Sequence, residues 1–175
     1  MQTRSLYRQP SNLFTRHSEQ HEGATVRYSW MDIANNERGV KEVVGNTHNP
    51  RIIAYHATTT LKATTDEVPW CSSFLNWVMK EAKYPLTRSA AAVSWATYGQ
   101  PCELQLGCIV VFRRRGGNHV GLCVGFTPTH IMVLGGNQAN EVNVRPYPRA
   151  DFIGARLPKP LKSADQQILN TRLGN

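Results

Sequence analysis

The order of patterns along the chain predicts an α+β domain, with helices first and an antiparallel sheet of about five strands after them. Up to Tyr98, apolar residues recur at helical spacing in separate runs. From Gly107 the chain changes to short Val-, Ile- and Phe-rich segments parted by Gly, Pro and Asn, the signature of strands and turns. The 175 residues, 41% of them hydrophobic, support one well-buried core and leave no room for a second full domain.

Residues 1–28 are polar, carry Pro10 and Gly23 and show no sustained period, so they are expected to form a loosely packed or disordered arm. Ser29-Trp30-Met31-Asp32 resembles a capping box that opens a helix, with Ile33 and Ala34 continuing its apolar face until Gly39 stops it. Residues 40–50, with Gly45, Asn46, Asn49 and Pro50, read as a loop, and a short helix bearing Ile52, Ile53 and Tyr55 follows. Cys71, Phe74, Leu75, Val78 and Ala82 recur at helical spacing after Pro69, so a helix is expected to start near Trp70 and to end before Pro85. Residues 89–98, with Trp95 and a run of alanines, predict another helix that Gly99 and Pro101 terminate. Strands are expected near 107–113, 119–126, 130–135, 141–145 and 152–157. The domain is placed at 29–158, with 159–175 as a tail.

The charge balance narrows the classes of partner. Twenty Lys and Arg against twelve Asp and Glu give a net charge of +8, which favours polyanions such as nucleic acid, anionic lipid or cell-wall polymer. No zinc-finger spacing, RNP-like aromatic strand or basic helix supports a nucleic-acid partner. No apolar run reaches the length of a membrane span, so membrane insertion is not expected. The N-terminus lacks an apolar h-region, so no Sec-type signal peptide is read there. Cys71, Cys102, Cys108 and Cys123 form no CxxC pair or Cys/His cluster, and neither metal nor organic cofactor is expected. Cys102 and Cys108 are open to two readings, a bridge in an oxidising compartment or a pair of free thiols.

Cys71 stands apart from the other cysteines. At the first turn of its helix, unpaired backbone N–H groups and the helix dipole are expected to stabilise a thiolate and lower its pKa. A nucleophilic cysteine needs a histidine base, which in turn needs an orienting acceptor. Among the histidines, His119 opens a strand after the Arg-Arg-Arg-Gly-Gly-Asn stretch, and alternation puts Gly121, Cys123 and Gly125 on its face, leaving room for a helix end. Pairing with the next strand brings His119 opposite Asn137 or Gln138. Register alone leaves the two tied, because a one-residue slip exchanges their faces. The backbone N–H of Cys71 is a candidate oxyanion donor. Trp70, Ser72, Gln138 and Asp66 are candidate substrate contacts, Asp66 and Glu67 having the alternative role of favouring the helix start. The three arginines are expected to form a solvated loop or to touch an anionic wall polymer.

The segments DEVPWCSSFLNWVMKEAKYP, GCIVVFRRRGGNHVGLCVGF and IMVLGGNQANEVNVRPYP resemble the NlpC/P60 and CHAP superfamily of peptidoglycan cysteine peptidases, most closely a phage- and effector-associated branch. WMDIANNERGVKEVVGNTHNPRIIAY is similar to that branch's leading segment, so the likeness covers about residues 29 to 158. It implies a papain-like fold in which Cys71 attacks an amide carbonyl, His119 relays the proton and Asn137 orients the imidazole. The implied activity is hydrolysis of an amide in peptidoglycan stem peptides, without a cofactor. With no leader and no separate wall-binding domain read, delivery by a secretion machine or holin-type release is expected, for action in the periplasm or cell wall. An antibacterial effector of this kind would have a cognate immunity protein as a second partner. The rival readings are an acyltransferase or deamidase of proteins using the same Cys/His pair, and a basic wall-binding module in which Cys71 is inert.

Overall fold

The computed structural model describes residues 27–174; residues 1–26, the greater part of the expected arm, lie outside the described residues. The chain forms helices α1 (Ser29–Asn36), α2 (Pro50–His56) and α3 (Cys71–Glu81), then a 3-10 turn at Ala92–Thr97. Strands β1 (Gln100–Pro101), β2 (Ile109–Arg114), β3 (Gly117–Phe126), β4 (His130–Gly135), β5 (Asn143–Pro148) and β6 (Phe152–Leu157) follow, and helix α4 (Ser163–Leu173) comes last. The strands make one antiparallel sheet in the order β1-β6-β2-β3-β4-β5. The expected α+β architecture is therefore present, with α3 lying against β3 and β4.

Several elements differ from their sequence-based expectation. The sheet has six strands, because two-residue β1 pairs with β6 and is too short to show any alternation. β5 begins two residues late and runs through Pro146 and Pro148. As the edge strand it can carry prolines on the side that needs no ladder donor. Residues 89–98 make only the 3-10 turn instead of a full helix. In β3 the pairing with β4 slips between Cys123 and Gly125, a bulge that takes Gly125 off the face shared by His119, Gly121 and Cys123.

Both ends of the domain extend past their expected limits. Tyr28 is fully buried and stacks on Trp30 at 4.5 Å, so it belongs to the core and not to the arm. Ser29 is not the cap of α1: its backbone N–H and Oγ donate to Asp165 at 2.7 and 2.9 Å, and Tyr84 donates to the same carboxylate at 2.5 Å. Asp165 belongs to α4, so the segment expected as a tail packs back on α1 and on the loop after α3. Only Asp165 and Ile168 of α4 are buried, too sparse a pattern to read as a helix from spacing. All four cysteines are free.

The start of α3 is pressed against the chain leaving β4, and this contact positions the site. A Cβ added at Gly136 would lie 2.5 Å from Cζ3 of Trp70 and 2.7 Å from Cβ of Phe74, closer than carbon atoms tolerate. Gly136→Ala is therefore expected to cost about 1–3 kcal/mol by overpacking. That corresponds to roughly 2–4 °C of Tm per kcal/mol at this chain length. Thermal denaturation checks it, and an unchanged Tm would mean that Trp70 yields freely.

Candidate active site

Cys71 is the first residue of α3, preceded by Pro69 and by Trp70 in a non-helical conformation. Two anchors hold this turn. The Trp70 indole is wholly buried and donates to Glu42 Oε1 at 2.9 Å. Ser72 Oγ donates to the Ser89 carbonyl at 2.7 Å and accepts from Trp95 Nε1 at 2.8 Å. Trp70 and Ser72, expected as substrate contacts, are thus fastened inside the protein by these bonds. A buried Asn76 one turn later extends the second anchor. Its amide donates to the Ser72 and Ser89 carbonyls, and its Oδ1 accepts from the Arg88 N–H at 2.9 Å.

His119 lies on β3 opposite Phe112 of β2 and is fully buried. Its Nε2 is 2.9 Å from Gln138 Oε1. The Gln138 amide nitrogen donates to the carbonyls of Val133 and Asn143 at 3.1 and 2.7 Å, so Oε1 must be the atom that faces the imidazole. That oxygen only accepts, which puts the neutral imidazole's proton on Nε2 and leaves Nδ1 as the basic nitrogen. Nδ1 is buried without a hydrogen-bond partner among the described residues. Tyr147 stacks on the imidazole at 4.7 Å, 9° from parallel, and fixes the ring plane. A Cβ at Gly135 would fall 3.1 Å from Gln138 Oε1 and 3.3 Å from His119 Nε2, so glycine keeps this contact open.

Gln138, and not Asn137, is therefore the residue that holds the His119 imidazole, and its own side chain, expected at the substrate, is buried. The chain leaves β4 after Gly135, and Asn137 takes a left-handed conformation at φ 54°. This departure from strand geometry breaks the alternation on which the register comparison rests. Asn137 instead lines a cleft of about 290 Å³ together with Cys71, Arg114 and Asn118. The Cys71 sulfur lies against the backbone N–H of Val120, the residue after His119, so helix start and strand converge at one point.

Burial decides the charge state of the pair. It pushes the Cys71 thiol up, outweighing the N–H groups of Val120 and Ser72 and the Arg114 guanidinium, which pull it down. The low thiol pKa expected from the helix start is thereby reversed. Burial also pushes His119 down to about 4, against the Gln138 contact that raises it, and the Arg114 charge adds to the lowering. The resting pair is a neutral thiol and a neutral imidazole.

Asp66 is likewise interior. Its carboxylate accepts from the N–H groups of Val43 and Asn49, both at 2.9 Å, and sits 3.0 Å from His48 Nδ1. Burial alone would push this carboxyl up, but the two N–H groups and His48 hold it at about 2. It clamps the loop before α2 and is not among the residues that line the cleft, where a substrate contact was expected. Tyr147 is a site residue that the sequence does not reveal, and Arg114, one of the three arginines expected in a solvated loop or at an anionic polymer, is set apart from the other two only by the structure. The only sign of Arg114 was its place in the arginine run, and Tyr147 lay beyond the expected end of its strand.

A larger hollow of about 580 Å³, lined by Lys62, Lys80 and Arg88 among others, lies beside α2 and holds no nucleophile with a base. Among the described residues, no group of three or more His, Cys, Asp or Glu is arranged to hold a metal ion, and no helix is long and apolar enough to cross a membrane. No protein-family model and no curated protein sequence matches the chain.

Proposed function

We propose that this protein is a peptidoglycan hydrolase that cleaves an amide bond in stem peptides through a thioester on Cys71. The observation that carries the reading is a buried histidine whose Nδ1 is left free by its tautomer, one residue before the Val120 N–H that meets the sulfur of a helix-start cysteine opening on a cleft. Nδ1 takes the thiol proton as Sγ attacks the carbonyl carbon. The N–H of Cys71, one of the unpaired first-turn groups, faces the developing oxyanion. Collapse of the tetrahedral species breaks the C–N bond, and the leaving amine takes the proton from Nδ1. Water, deprotonated by the same nitrogen, then hydrolyses the thioester and restores the thiol.

The substrate assignment is supported by the resemblance of three ordered motifs to those of wall peptidases and by the net charge of +8, which suits an anionic wall. The biological role that fits is an antibacterial effector with a cognate immunity protein, or a prophage lysin. Mass spectrometry of muropeptides after digestion tests the reading. Cuts between stem residues identify an endopeptidase and release of whole stems an amidase; an unaltered muropeptide profile would sink the proposal.

The neutral resting pair makes a second prediction. Because burial keeps His119 unprotonated, kcat/KM is expected to hold level from neutral pH down to an acid limb near 4. The buried thiol carries the plateau to higher pH than an ordinary cysteine would. A pH–rate profile measures this, and an acid limb near the usual histidine value of about 6.5 would show that the resting imidazole is solvated.

A further inference from the structure

We infer that Arg114 is the specificity determinant of the cleft, pairing its guanidinium with a carboxylate that the substrate carries beside the amide attacked by Cys71. The inference rests on the hydrolase reading above and names the chemistry of the group that reading leaves open. Among the described residues that line the cleft, Arg114 is the only charged one, and it shares that lining with the nucleophile. None of the ion pairs between described residues includes Arg114, so no carboxylate among the described residues neutralises it.

Its position is built in by the sheet. Arg114 ends β2 and pairs with Gly117 across the tight turn at Arg115 and Gly116. Two residues earlier Phe112 pairs with His119, so alternation puts Arg114 on the face of the base. The guanidinium interacts with the Tyr147 hydroxyl, and Tyr147 is the ring stacked on His119. The charge acts on both reacting groups, pulling the Cys71 thiol down and disfavouring the His119 imidazolium. A guanidinium can hold a carboxylate through two parallel hydrogen bonds, a geometry that a carboxamide cannot reproduce with equal strength. Bound carboxylate would offset the positive charge when the imidazolium forms, which ties recognition of an acidic substrate to the proton transfer. Stem peptides in which this carboxyl is amidated are then poor substrates.

Once the cut bond is mapped, the test is a synthetic stem-type peptide with a free carboxylate beside that bond and its carboxamide twin. Wild type is expected to favour the acid in kcat/KM by about tenfold to a hundredfold, the range of a hydrogen bond to a charged group. In Arg114→Gln the ratio collapses towards one through loss on the acid peptide, and Arg114→Lys restores part of it. A wild-type ratio near one, a ratio that survives Arg114→Gln, or equal loss on both peptides overturns the inference. Binding of the same peptides to Cys71→Ala, with and without Arg114→Gln, separates the two readings. Acid-selective binding that depends on Arg114 without turnover by wild type overturns the hydrolase reading and keeps the recognition. Equal binding and equal cleavage of both peptides does the reverse.

Discussion

Cys71→Ala is expected to lower wall hydrolysis by at least about 10⁴-fold, the scale seen when a covalent nucleophile is removed. The fold should survive, because the change deletes one small buried sulfur at a costs of about 1 kcal/mol or less of stability. Turnover of purified peptidoglycan, read beside the thermal transition of the same sample, separates chemistry from folding. Residual lysis within tenfold of wild type would exclude Cys71 as nucleophile. Cys71→Ser is expected to be nearly as inactive. An imidazole held neutral by burial is a weak base, and a hydroxyl gives up its proton far less readily than a thiol.

Gln138→Ala is expected to reduce kcat by about a hundredfold or more, because it frees both the tautomer and the orientation of His119. It also leaves Nε2 and the carbonyls of Val133 and Asn143 without the amide, adding about 1–3 kcal/mol of destabilisation for an unsatisfied buried group. Asn137→Ala, at a cleft-lining position, is expected to change kcat much less and KM more, because the imidazole is held by Gln138. The contrast between the two variants is the measurement. If Asn137→Ala had the larger effect on kcat, Gln138 would be structural only. Gln138→Glu refines the point: a carboxylate beside Nε2 favours the imidazolium, so the acid limb of the pH profile should move up.

The pattern of agreement with the sequence follows from the range of each interaction. Cys71 and His119 were legible because short-range signals mark them: helical spacing behind Pro69 for one, strand alternation after a Gly-rich turn for the other. The α+β order was legible for the same reason. What escaped depends on partners far along the chain. Nothing local tells that Ser72 faces Trp95, that Trp70 reaches Glu42, or that Asp66 gathers the N–H groups of Val43 and Asn49. A serine and an aspartate flanking a nucleophile read as substrate contacts until those partners are known. The choice between Asn137 and Gln138 failed for a different reason. Just past the end of β4, where the partner of His119 falls, Asn137 takes a left-handed conformation, and backbone φ is not visible in side-chain type.

The Asp165 carboxylate joins α4 to the first residue of α1, 136 positions away. Within the described residues the fold therefore traces a closed circuit, with the last helix sealing the first. A circuit of this kind is topologically a cassette, able to sit inside a longer polypeptide with its entrance and exit side by side. A circular permutant with α4 linked to α1 and new termini in an exposed turn such as the one between β3 and β4 would preserve every contact of the cleft. Entry to the described fold at Tyr28 and exit at Arg172 lie together, the guanidinium 4.9 Å from the ring.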